Sequence, residues 1–272
     1  MFNFFFKHRL SHMSLFKILE SPIDFFLILK SNLHLKEQVY FLTCGQLNPQ
    51  NLKILVIDIG GTNVKVKANN DQERRKIPSG SFLIPQKMVS EVLEFTKDWE
   101  YDFISIGYPG IIKKGKIMTE PKNLGQGWVG FDFESAFGKP VKIMNDASMQ
   151  ALGSYQEGVL LFMGLGTGLG TAIVVDGCVI PMELAHQPYK KGTFEDYVGL
   201  RGLERMGLTK WHIHVKNIIS RFSDAFLPDD VVIGGGNSKL LTELPPLCRF
   251  GNNSLAFQGG FRMWEYVPEH HG

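Results

Sequence analysis

LKILVIDIGGTNVKVKANN, residues 52–70, is the stretch on which the fold turns. Residues 52–59 are an apolar run that reads as a buried strand. Gly60 and Gly61 make a tight turn, and VKVKA then alternates apolar and polar side chains as a returning strand does. The theme returns about 105 residues later in GVLLFMGLGTGLGTAIVVDGCVIP, residues 158–181. There the order is strand, glycine turn, strand, Asp-Gly turn, strand. Two apolar hairpins with glycine-rich first turns, interleaved with helices, predict an α/β protein of two related lobes.

Other segments fit this plan. A polar stretch carrying Pro78 and Pro85 precedes a helix expected from about Gln86 to Asp98. FISIGYPGII (103–112) reads as a buried strand, and PVKIMND (140–146) as the next strand, feeding a helix after Asp146. DDVVIGGGNSKLL (229–241) reads as strand, three glycines and a helix start, and NSLAFQGGFRMWEYV (253–267) as a terminal helix with one apolar face. Asn145 and Asp146 are both good helix caps, their side chains accepting from free backbone N–H groups. The expectation is that Asp146 caps its helix and also does chemistry.

Composition narrows the class. The 272 residues are enough for two lobes with real cores, and 44% hydrophobic with 21% charged residues is ordinary for a globular protein. A formal net charge of +2 gives no reason to expect a nucleic-acid surface. Arg74-Arg75-Lys76 and Lys113-Lys114 are read as solvated loop tips. Cys44, Cys178 and Cys248 follow no metal-ligand spacing, which points to a reducing, cytoplasmic setting without a disulfide framework. The Phe-rich segment 1–51 lacks the ~20 apolar residues of a membrane helix and the order of a signal peptide, so it is read as an N-terminal extension outside the fold.

Each glycine turn alone could be only a hairpin device, since glycine reaches positive φ without steric cost. Three turns, each just after a buried strand, suggest backbone nests for phosphate. G-x-x-x-x-G-K-[ST] is absent, and G-x-G-x-x-G fails at Leu169 and at Thr171, so neither a Walker A loop nor a dinucleotide fingerprint is present. DIGGTN and GLGTGLG are left as two turns facing each other as a phosphate clamp. Asp58 beside the first turn could hold Mg²⁺ through water.

These residues resemble the sugar-kinase/Hsp70/actin superfamily and, within it, the ROK family of glucokinases and related repressors. The resemblance runs from about Leu52 to the C-terminus and is nearest to the zinc-free branch that includes polyphosphate glucokinases. It implies a two-lobed actin-like, ribonuclease H-like α/β fold with a cleft, residues 52–145 forming one lobe and 146–272 the other. The terminal helix could pack back on the first lobe.

The resemblance further implies a hexose kinase, with glucose as the family's default sugar. DIGGTNVK would be the first phosphate loop, its donor-binding residues being Asp58, Gly60, Gly61, Thr62, Asn63 and Lys65. GLGTGLG would be the second, through Gly166, Thr167 and Gly168, and Gly235 and Gly236 would lie on the adenosine side. Asp146 would be the general base, and Asn123, Asn145, Glu183, His186 and Glu195 the sugar contacts. Ala185 stands where the family has glycine in E-x-G-H. QPYKKGTFE (187–195) has no cysteine, with Thr193 where the last zinc ligand would stand, so no zinc is expected. The donor is left as ATP or polyphosphate with Mg²⁺, and Lys113, Lys114, Lys116, Lys190 and Lys191 are candidates for a polyphosphate track. A sugar-responsive regulator and a catalytically silent sugar-binding protein stay open as alternatives. No nucleic-acid or membrane partner is expected, and a homodimer is one option for assembly.

Overall fold

The structure, a computed structural model, describes residues 52–70, 73–252 and 254–265. The N-terminal extension read from residues 1–51 lies outside them. The first sheet is built from β1 (Ile54–Ile59), β2 (Asn63–Ala68), β3 (Arg75–Pro78), β4 (Phe103–Tyr108) and, last in sequence, Val141–Asn145, in the order β3-β2-β1-β4 and then Val141–Asn145. Between β4 and that last strand lie α2 (Phe133–Phe137) and a two-strand ribbon, β5 (Ile112–Lys113) and β6 (Lys116–Ile117); α1 (Pro85–Phe95) precedes β4. Val141–Asn145 is therefore β7.

β1 and β2 pair antiparallel, whereas β1, β4 and β7 run parallel. Every residue of β1 is buried, as a strand covered on both faces requires. β2 alternates buried and half-buried positions.

The second sheet repeats this layout. β8 (Val159–Leu165), β9 (Leu169–Val175), β10 (Cys178–Met182), then β13 (Asp230–Gly234) and β14 (Cys248–Phe250) take the order β10-β9-β8-β13-β14. Its first three strands are antiparallel and its last two join in parallel. In both lobes the strands thus follow one spatial order, third-second-first-fourth-fifth. The ribbon β11 (Pro188–Tyr189) and β12 (Gly192–Thr193), then α4 (Phe194–Val198) and α5 (Leu200–Phe226), fill the stretch between β10 and β13.

Each fifth strand leads to a helix: α3 (Asp146–Ser154) after β7, and α6 (Leu255–Arg262) after β14. These two helices cross at contact distance because glycines meet there. A Cβ on Gly153 would lie 1.8 Å from the Leu255 carbonyl oxygen, and one on Gly259 would lie 1.7 Å from that of Met149. α6 packs with Ile54, Val56 and Phe103 of the first sheet, and Ser105 ties it down, its hydroxyl donating to the Gly260 carbonyl at 2.6 Å. Arg262 donates to the carbonyls of Leu152 (2.8 Å) and Tyr155 (2.7 Å), placing a cation at the C-terminal end of α3.

Three expectations are corrected, and one element is new. Arg75 is not a loop tip: it starts β3, bonds Asp98 at 2.6 Å and stacks over Trp99 at 4.3 Å. The third glycine segment leads not into a full helix but into a single 3₁₀ turn, Ser238–Leu240. The cap of α3 is Asn145, whose Oδ1 accepts from Ala147 and Ser148, so Asp146 is the first helical residue and not the cap. The long α5, with non-helical backbone at Gly207 (φ 75°), was not foreseen at all.

Candidate active site

Strand register brings the first cluster together. The β1–β2 pairing sets Lys65 opposite Asp58, and the Lys65 ammonium sits 3.0 Å from the Asp58 carboxylate. In the parallel part of the sheet Asp58 pairs with Gly107, and Tyr108 with Asn145. Asp58 and the Asn145-Asp146 step therefore lie at the carboxyl ends of β1 and β7, the parallel strands on either side of β4, where open α/β sheets place ligands.

The turn between β1 and β2 is held from behind. The Ser79 hydroxyl donates to the Gly60 carbonyl at 2.6 Å, and the Ser79 amide to the Thr62 carbonyl at 3.0 Å. Among the described residues the amides of Gly61 and Thr62 have no protein acceptor, and both residues are exposed. Those free donors are what an anion nest needs. Asn123 lies against this turn: a Cβ on Gly61 would be 3.6 Å from its Nδ2.

The second turn is built alike. The Gly166 amide closes onto the Gly168 carbonyl at 3.0 Å, and the amides of Thr167 and Gly168 are left without a protein acceptor among the described residues. The Leu200 amide docks on the Gly166 carbonyl at 3.1 Å, and the Asn237 side-chain amide donates to the same oxygen at 3.0 Å. Asn237 and Ser79 went unread in the sequence because single side chains that brace a turn leave no periodic signal. Gly235, at φ 84°, packs so closely on β8 that a Cβ would come within 2.3 Å of the Leu165 carbonyl oxygen, whereas Gly236 faces open space.

Glu195 reaches the second turn from α4, whose start is fixed by a capping box between Thr193 and Asp196. A Cβ on Gly168 would lie 2.2 Å from Glu195 Oε2, so glycine leaves room for that carboxylate. Arg201 approaches Glu195 at 3.4 Å.

Asp146 joins the lobes. The next residue, Ala147, packs on the second sheet, where a Cβ on Gly170 would be only 2.7 Å away. Burial first, then the charge of Asp58 and less strongly that of Glu183, push the Asp146 carboxyl up to about 7; the Ala147 amide, at 2.8 Å, pulls the other way. A carboxyl with a pKa near neutral is poised to exchange protons. Asn145 spends its oxygen on the helix cap and donates to the Gly110 carbonyl at 3.1 Å, which fixes the neighbouring carboxylate.

Of the sequence-predicted residues, Asp58, Lys65, Asn145, Asp146 and Glu183 fall into one electrostatic neighbourhood. Asn123 joins the first turn and Glu195 the second. His186 is exposed just ahead of the β11–β12 ribbon and bonds to none of them among the described residues. Among the described residues no three His, Cys, Asp or Glu side chains group as a metal cage. The Asp58 carboxylate is a hard oxygen donor of the kind Mg²⁺ takes, and phosphate oxygens and water would complete the ion's shell.

The sequence model of the ROK family matches residues 54–181. The polyphosphate glucokinase of Mycobacterium tuberculosis (strain CDC 1551 / Oshkosh) is 25% identical over 213 residues, covering 70% of this chain and 80% of that protein. The inorganic polyphosphate/ATP-glucomannokinase of Arthrobacter sp. strain KM superposes with a TM-score of 0.67 at 24% identity, over 79% of this chain and 99% of that one. A ROK family transcriptional regulator, described as a homologue of the E. coli MLC protein, gives a TM-score of 0.63 at 16% identity, over 81% and 79%. The fold is the two-lobed actin-like arrangement of these proteins.

Proposed function

We propose, from a chain whose residues 54–181 match the ROK family, that this protein is a hexose kinase, glucose being the first sugar to test. One observation carries the reading. The half-buried Asp146 carboxyl, raised to about 7, stands at the end of β7 near Asp58 and Glu183, and a turn with free amides closes the first hairpin of each lobe. The fold is shared with a regulator, so the site and not the fold supports catalysis.

Phosphoryl transfer needs positioning and charge stabilisation more than covalent chemistry. In this reading the amides at Gly61-Thr62 and Thr167-Gly168 hold the phosphates of the donor. Asn123, Asn145, Glu183 and Glu195 hold sugar hydroxyls, and His186 stands at the margin of that pocket. Asp146 accepts the proton of the attacking hydroxyl, and Lys65, 3.0 Å from the Asp58 carboxylate, holds that side chain in place. Asp58 would hold Mg²⁺, which would supply positive charge to offset that of the donor phosphates.

For the donor, polyphosphate is the first to test beside ATP, because the M. tuberculosis relative is named a polyphosphate glucokinase. The test is phosphorylation of a small hexose panel with ATP and with polyphosphate. Sugar phosphate formed with either donor supports the kinase, and its absence with both would overturn it.

A further inference from the structure

A second cluster lies on the far side of α4 from the glycine turn. A cavity of about 550 Å³ is lined by Lys191, Asp196, Tyr197, Arg205, Lys210 and His214, with Gly192 and Met206 completing the wall. Three cations thus face one carboxylate. Asp196 is already committed, accepting from the Thr193 amide at 3.0 Å and its hydroxyl at 2.8 Å. Neither Lys191 nor Lys210 has an ion-pair or hydrogen-bond partner among the described residues, and Arg205 spends one N–H on the Asp196 carbonyl at 2.7 Å.

The cavity has a rigid floor. The Tyr189 hydroxyl meets His214 Nδ1 at 3.1 Å, and the Tyr197 ring packs against both the Tyr189 and His214 rings. Arg205 lies over Tyr197 at 5.4 Å, which holds the guanidinium across the opening. Like charges gathered on a fixed aromatic frame repel one another unless an anion joins them.

We propose that this cavity is a binding site for a multiply charged phosphate anion, separate from the two glycine turns. Lys191 and Lys210 supply point charges, and Arg205 supplies its free fork of donors. The shared chemistry is phosphate oxygen, and two sources fit it: an inorganic polyphosphate chain or a phosphorylated sugar.

His214 reports on occupancy. Burial, then Lys190 and Arg205, hold its imidazole below the ordinary range. The groups facing it are Lys190, Lys191 and Tyr189 from the β11–β12 ribbon, Asp196 and Tyr197 from α4, and Arg205 and Lys210 from α5. A bound anion would cancel the cationic field and raise the histidine's pKa.

The test uses the full chain without Mg²⁺, titrated separately with inorganic tripolyphosphate and with glucose 6-phosphate. The His214 ring signal, assigned by its loss in His214→Gln, is followed by NMR as pH is varied. The expected result is an upward shift of the His214 titration with at least one anion, the tighter of the two marking the source. The Lys191→Gln/Lys210→Gln double variant, with both positions exposed and its fold checked by circular dichroism, should need about tenfold more anion for the same shift. No His214 response to either anion, or an unchanged response in the folded double variant, would overturn the site.

Discussion

Replacing Asp146 by Asn should make the protein more stable while removing its activity. The folded state holds this carboxyl at about 7 against an ordinary 3.8. A raised carboxyl pKa means that the folded state binds the proton more tightly than the unfolded one. Its contribution is therefore most favourable below the unfolded value, falls as pH rises from there, and levels off above about 7. At about 1.4 kcal/mol per pH unit, burying Asp146 ionised costs the fold about 4 kcal/mol at pH 8, and protonating it on folding costs about 2 kcal/mol at pH 5. Asn cannot ionise, yet its oxygen can still accept from the Ala147 amide. The assay is urea unfolding of both proteins at pH 5 and pH 8. The variant's advantage should widen by about 2 kcal/mol between them. An advantage equal at both pH values, or a variant less stable at pH 8, would refute the claim that burial and Asp58 strain this carboxylate.

Four further outcomes are expected. Asp58→Asn removes a charge that raises the Asp146 pKa, so the acidic limb of the kcat–pH profile should move below its wild-type position, read from initial rates between pH 5 and 9. Gly259→Ala should cost about 3 kcal/mol or more in urea unfolding, because its Cβ would run into backbone at Met149. EDTA should abolish sugar phosphorylation and Mg²⁺ alone should restore it, with no stoichiometric zinc found by elemental analysis of the purified protein. Deleting residues 1–48 should leave a folded, active enzyme, measured by turnover per mole, since the compact unit that holds every site residue starts at Leu52.

What could be read from the sequence follows the strength of its local signals. The paired hairpins were legible because period-two burial and glycine turns occur together, as in NVKVKA with its alternating buried positions. β3 was not legible: of RKIP only Ile77 is buried, and an edge strand ending in proline looks like a loop. α5 escaped because Gly202 and Gly207 interrupt its period and its exposed face is broad. The 3₁₀ turn after Gly236 replaces the expected helix in a segment that runs out of length before Pro245 and Pro246.

In the site, residue types were legible and roles less so. Asn145 and Asp146 are equally good caps by composition, and only the strand end, in register with Tyr108, decides which one turns onto the helix. Thr193 stands where a zinc ligand would and instead caps α4, aiming Glu195 at Gly168. Ser79 and Asn237 act through contacts between segments distant in sequence, which no single window contains.

The central claim is that Asp146 takes the proton of the attacking hydroxyl, and single-site turnover tests it most directly. Hexose phosphorylation by wild type and by Asp146→Asn should be measured with sugar and donor saturating. The account predicts a kcat lower by ~10²–10⁴-fold in the variant, with sugar binding by calorimetry near the wild-type value. A variant that turns over at the wild-type rate would contradict it.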